Sequence, residues 1–244
     1  MIHQTKGIVL RTIKYGETSI VVSIFTELFG IQTYLVNGVR SFGKTSKASF
    51  FQPCSILEME VYHNELKNLQ RIREYKWNYL YKNILSDVTK NSVALYMVEL
   101  LLKCLKQPEN NPELFQFSED AFMHLDIADD AVTANFPLYF CIQLSHFFGL
   151  KLEDDYSESN SFLDLQEGRF IALAPHHEYY LGEENSYHIS QLLKVQHPCE
   201  LTEIRLNKAV RKEMLFALQN FYALHIQDFG VMKTLPILHE ILSA

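Results

Sequence analysis

Over the first eighty residues the apolar positions recur with a period near two, in short runs separated by turn residues. Lys6 to Lys14 (Lys-Gly-Ile-Val-Leu-Arg-Thr-Ile-Lys) predicts a first strand, closed by a turn at Tyr15-Gly16-Glu17. Ser19 to Thr26 predicts a second strand and Ile31 to Val36 a third, with Leu28-Phe29-Gly30 turning between them. Ser55 to Tyr62 alternates, with Leu57, Met59 and Val61 on one face and Glu58, Glu60 and Tyr62 on the other. After His63-Asn64-Glu65, Leu69 to Tyr75 reads as a fifth strand with Arg71 and Arg73 on one face. Five short strands with a turn about every ten residues predict a small barrel; the five-stranded OB-fold fits, and an SH3-like barrel gives a similar pattern.

From Trp77 the period lengthens. Val93, Met97, Leu100, Leu101, Cys104 and Leu105 recur at helical spacing. Pro108 and Pro112 interrupt the chain, and Ser118 to Ala134 is an acidic helix or loop whose carboxylates are expected in solvent. Asn135 reads as an N-cap with Pro137 in the first turn and Gly149 as the stop. The helix between them, Leu138 to Phe148, is apolar nearly all round and is expected at the centre of a second core. Lys151 to Asn160 reads as a mobile acidic loop, and Arg169 to Leu173 as part of a short β pair. Thr202 is the expected cap of a long helix running towards Phe229 and stopped by Gly230, and Leu235 to Leu242 forms a last helix. The expected organisation is α+β, with a barrel domain at 1–78 and a mainly helical domain at 79–244.

With 48% apolar and 21% charged residues, the 244-residue chain has an ordinary globular composition. Met1 to Lys14 lacks a signal-peptide pattern, and the apolar windows Val93–Leu105 and Phe136–Leu150 are too short to span a bilayer. A cytoplasmic protein is the expectation. Cys54, Cys104, Cys141 and Cys199 are scattered without Cys-x-x-Cys spacing, which favours thiols over disulfides or a metal site. His176 and His177 are adjacent, and adjacent strand residues face opposite ways, so no metal is expected there. No nucleophile elbow or zinc-protease motif occurs, and no cofactor or catalytic residue is assigned.

Charge changes the picture. Residues 1–80 hold ten Lys/Arg against six acids, a net +4, whereas the remainder holds twelve against twenty-three, a net −11. Between Glu27 and Glu58 there is no carboxylate, yet Arg40, Lys44 and Lys47 fall there among Phe29, Tyr34, Phe42, Phe50 and Phe51. Cations for phosphates and aromatic faces for bases are the ingredients of a single-strand surface. Gly38-x-x-x-x-Gly43-Lys44-Thr45 also matches a P-loop, which would make the protein a nucleotide hydrolase. That motif needs a long helix after it, and Pro53 arrives too soon. A protein-interaction scaffold that never meets DNA is a third reading. On the C-terminal side, Arg205, Lys208 and Lys212 cluster with Arg211 nearby, as a solvated face, a second phosphate track or a dock for an acidic peptide.

Gly7-Ile-Val-Leu-Arg11, Tyr15-Gly16-Glu17, Phe25-Thr26 with Gly30, Gly38-Val-Arg40, Gln52-Pro53 and Leu57-Glu-Met-Glu60-Val-Tyr62 occur in that order. In this the chain resembles the RecO family of bacterial recombination mediators. The resemblance implies an N-terminal OB-fold and a helical body without bond-making activity. It also implies binding of single- and double-stranded DNA, strand annealing, and work with a RecR-like partner. Contact with the acidic C-terminal tail of single-strand-binding protein follows, as does indirect help to RecA, near the nucleoid. Many relatives carry a four-cysteine zinc module where this chain has an insert at about 152–184 with no cysteine, so zinc is not carried over. On such a barrel the expected DNA contacts are Arg11, Lys14, Arg40, Phe42, Lys44, Lys47, Arg71 and Arg73, with Tyr34 as a stacking face or a core residue.

Overall fold

A computed structural model of the chain describes residues 1–39 and 47–243. Two compact units emerge: one comprises residues 1–82 with 101–123, the other residues 83–100 with 124 onward. In the first, β1 (Ile2–Tyr15), β2 (Ser19–Thr26), β3 (Gly30–Val36), β4 (Ile56–Tyr62) and β5 (Gln70–Tyr79) close a barrel in the order β1-β2-β3-β5-β4. β3 and β5 pair in parallel, and every other seam is antiparallel. This is an OB-fold barrel, as the strand pattern predicts. The alternation in β4 holds: Leu57, Met59 and Val61 are buried with Val9, Val22, Ile24 and Val36. β1 is longer than its apolar run because its pairing with β4 continues back to Ile2. β5 likewise continues past Trp77 to Tyr79, where sequence alone suggests that helical spacing begins.

A bulge at Leu10, between Val9 and Arg11, lets β1 serve both neighbours. At the β2–β3 turn, Gly30 adopts φ 61°, and a Cβ there would strike the backbone of Glu109. Tyr34 is fully buried in the barrel core, which removes it from the stacking candidates. Phe51 is buried too, and Phe50 lies flat on Trp77 with centroids 4.6 Å apart. These aromatics fill the barrel; alternation and loop closure carried them inward.

The helices are α1 (Val88–Cys104), α2 (Pro112–Ile127), α3 (Asp130–His146), α4 (Glu183–Leu193), α5 (Lys208–His225) and α6 (Thr234–Ser243). α3 is buried almost all round and forms the centre of the second unit. Its cap is Asp129, whose carboxylate accepts from the Val132 amide at 2.8 Å, so the expected cap at Asn135 is corrected. Pro137 sits inside the helix, where its missing N–H costs one backbone bond that tertiary packing offsets. α5 begins after Asn207, which caps Val210, whereas Thr202 lies in the preceding short 3-10 helix. α5 also ends at His225, five residues before Gly230.

The acidic run is not uniformly solvated. Glu119 and Asp126 are buried. Asp126 accepts from the amides of Asn83 and Ile84 at 2.8 and 2.9 Å, closing the turn that precedes α1. The insert folds as a small sheet of β6 (Phe162–Asp164), β7 (Arg169–Ile171) and β8 (Tyr180–Leu181), ordered β7-β6-β8. Leu163, Leu165, Phe170 and Leu181 pack inside it, and Asp164 meets His177 at 3.3 Å. No helix among the described residues is long and apolar enough to cross a membrane.

Candidate nucleic-acid interface

Register decides which side chains share a face of the barrel. Ile13 lies opposite Val21, Val21 opposite Leu35, and Leu35 opposite Arg71, so one outward row crosses β1, β2, β3 and β5. The next row is Arg11, Ser23 and Thr33. Arg11 and Arg71 thus belong to one outer surface, on either side of β2 and β3. Neither β2 nor β3 contains a carboxylate. Ile13 and Tyr15, which sequence reading does not single out, are about half exposed on it (47% and 58%). The alternation of β1 carried through to Tyr15 was the signal available for finding them.

The opposite outer surface, on β1, β4 and β5, differs in charge. Arg73 is held by Glu60 at 3.2 Å and Lys76 by Glu58 at 2.9 Å. A cleft of about 190 Å³ there is lined by Glu58, Glu60 and Glu74. Arg73 thus meets a carboxylate of β4, whereas Arg71, two residues earlier, lies between Leu35 of β3 and Tyr62 of β4. Lys6, on the same strand as Arg11, gives its ammonium to Glu119 at 2.8 Å. That carboxylate holds the Lys6 pKa above its ordinary value, with the hydrogen bond as the largest cause and desolvation opposing it.

Lys14 is exposed and opposite Ile20, which pairs with Val36, the last residue before the basic loop. Both ends of that loop are tied to this end of the barrel. Ser19 donates to Asn37 at 3.0 Å, and the Thr12 hydroxyl donates to the Phe51 carbonyl at 2.6 Å. Lys47 is exposed in a 3-10 helix, Lys47–Phe51. Arg40, Phe42 and Lys44 lie outside the described residues. After that 3-10 helix the chain passes Cys54 and enters β4. The P-loop reading therefore lacks the long helix whose N-terminus would bind the phosphates.

Residues 1–81 match the family of the recombination protein O N-terminal region, and residues 85–234 match that of its C-terminal region. The chain belongs to the RecO family. It is 31% identical to the DNA repair protein RecO of Phocaeicola vulgatus over 243 residues, covering all of both chains. Identity to the proteins of the same name is 30% for Bacteroides fragilis, over 99% of each chain. For Flavobacterium johnsoniae it is 31%, over 98% of this chain and 99% of that one. The closed barrel and helical body described above are those of a DNA repair protein of this family.

In the RecO helical unit, Arg205, Lys208 and Lys212 are exposed, and Lys208 and Lys212 are one turn apart on α5. Arg211 stands apart from them. Its Nε donates to Asn135 Oδ1 at 3.1 Å and its Nη2 to the Leu206 carbonyl at 3.0 Å. Burial lowers its pKa, and its donors clamp the Asn135 amide and the turn before α5 together.

Proposed function

We propose that the protein is a non-enzymatic recombination mediator of the bacterial cytoplasm. It binds single- and double-stranded DNA on the outer surface of β1, β2, β3 and β5, and promotes annealing. The observation that carries this reading is the sorting of charge on the barrel: Arg11 and Arg71 flank two strands, β2 and β3, that hold no carboxylate, while Arg73 is paired with Glu60. Lys14 and Lys47 extend the surface at one end of the barrel, and Arg40, Lys44 and Phe42 are assigned from the sequence to phosphate contact and base stacking. Annealing then needs no bond chemistry: the cations neutralise two phosphate backbones, hold the strands near one another, and base pairing selects the partner.

Arg205, Lys208 and Lys212 are assigned to an acidic segment, the C-terminal tail of single-strand-binding protein. In this reading a RecR-like partner completes the mediator and RecA is loaded indirectly. The exposure of Arg205, Lys208 and Lys212, the last two one turn apart on α5, supports that assignment, and Arg211 is the half-buried member of the cluster.

The test is fluorescence anisotropy of labelled single- and double-stranded oligonucleotides across a salt series. Each cation removed from a single-strand phosphate should lower the salt slope by about 0.7. Arg40, Lys44 and Lys47 changed together to Ala should lower it by about 2, and Arg11→Ala with Arg71→Ala by about 1.4. Arg73→Ala should change little. Unchanged affinity and slope in both multiple variants would refute the assignment.

A further inference from the structure

The β4–β5 hairpin presents an apolar tip. Among the described large apolar side chains Leu66, at 94%, is as exposed as Met1, and Leu69 beside it is 44% exposed. The turn beneath them is tightly laced. Asn64 Oδ1 accepts from the Leu66 amide at 2.9 Å, and the Lys67 amide donates to the Asn64 carbonyl at 3.0 Å. Gln70, itself buried, accepts from the Asn64 amide and donates to the carbonyls of Asn64 and Lys67. These hydrogen bonds fix the position of Leu66 although its side chain packs on little of the barrel.

Behind the tip is a cleft of about 410 Å³, a size that takes small planar ligands. It is lined by Phe29, Ile31, Thr33, Glu65, Lys67 and Asn68, among others. Phe29 and His63 stack in parallel with centroids 3.9 Å apart and form its aromatic wall. Thr33 also belongs to the outward row of Arg11 and Ser23, so the cleft is continuous with the carboxylate-free surface. An aromatic wall, several side-chain amides, one carboxylate that can accept from an exocyclic amino group and one ammonium for a phosphate suit an unpaired nucleobase.

We propose that this hairpin is a wedge: Leu66 stacks on the last base pair where a duplex ends in single strand, and the cleft behind it receives the first unpaired base. Apolar side chains act in this way at unstacked base steps elsewhere. The proposal rests on the DNA-binding reading above and adds to it a preference for junctions.

The full-length protein is titrated into a single strand, a blunt duplex and a tailed duplex with 2-aminopurine as the first unpaired base. The wild type should bind the tailed duplex roughly tenfold more tightly than the blunt one, the scale of one base stack, and should change the 2-aminopurine signal. Leu66→Ala should lose the preference and the signal while keeping its single-strand affinity, and Leu66→Phe should keep both. A Leu66→Ala protein with an undiminished junction preference would overturn the wedge. So would a wild type that binds single strands without favouring the tail, which would leave DNA binding itself standing. No single-strand binding even at low salt would instead sink the DNA reading, and the wedge with it.

Discussion

Glu119 and Lys6 should respond unequally to removal. The Glu119 side chain is 2% exposed, accepting from Lys6 Nζ at 2.8 Å and from Asn78 Nδ2 at 2.9 Å, whereas Lys6 keeps 35% of its surface in water. Taking away Lys6 strands a carboxylate whose remaining side-chain donor is a single amide. Breaking a buried pair this way costs about 3–5 kcal/mol. Taking away the charge of Glu119 leaves an ammonium that water can reach, so Glu119→Gln should cost no more than about 2 kcal/mol. Lys6→Met should therefore be the more damaging change by at least about 1 kcal/mol, although it retains most of the aliphatic stem. Trp77, the only tryptophan, packs against the barrel core and reports unfolding of this unit by fluorescence in urea. Equal midpoint shifts for the two variants, or a larger one for Glu119→Gln, would refute the reasoning. The pH dependence carries a sign as well. Because the folded pKa of Lys6 is raised above 10.5, the pair's contribution is complete below that pH. It is lost as pH rises through the higher folded value, and Lys6→Met should abolish this alkaline loss.

Tyr34 is buried with a hydroxyl that has no hydrogen-bond partner among the described residues, so Tyr34→Phe should be neutral or stabilising by up to about 1 kcal/mol. Destabilisation beyond about 1 kcal/mol in urea would contradict this. Asn135 donates to the carbonyls of Leu201 and Ile204 and accepts from Arg211, so Asn135→Ala should cost about 2–3 kcal/mol, read by the loss of helical circular dichroism on heating. His63, His146 and His239 all have pKa values lowered from 6.5, chiefly by burial. The unfolded chain then binds more protons, so stability should fall as pH drops below about 6.5, and His239→Gln should flatten part of that fall in urea titrations from pH 7 to 5.

Period-two alternation settles the barrel from the sequence because each strand must bury one face, and that constraint is local. The core residues of β4 and the all-round apolar character of α3 are legible because burial follows local apolar spacing. Cap assignments fared worse. Asn135 and Asp129 are both acceptable caps locally; the contest is settled by where Leu201, Ile204 and Arg211 need an amide, and these come from far along the chain. Nor does composition separate Arg71 from Arg73. They are two apart on one strand, yet Arg73 meets Glu60 of β4 while Arg71 lies between Leu35 of β3 and Tyr62 of β4, a choice made by strand pairing. Glu119 reads as one more acid in an acidic run, and only the closed barrel brings Lys6 and Asn78 to it. Sequence alone determined which residues are apolar, charged or turn-forming, because those are properties of single side chains and their immediate spacing. Tertiary structure decided which charges are paired and which remain available, because a Coulomb partner is chosen by distance in space and not along the chain.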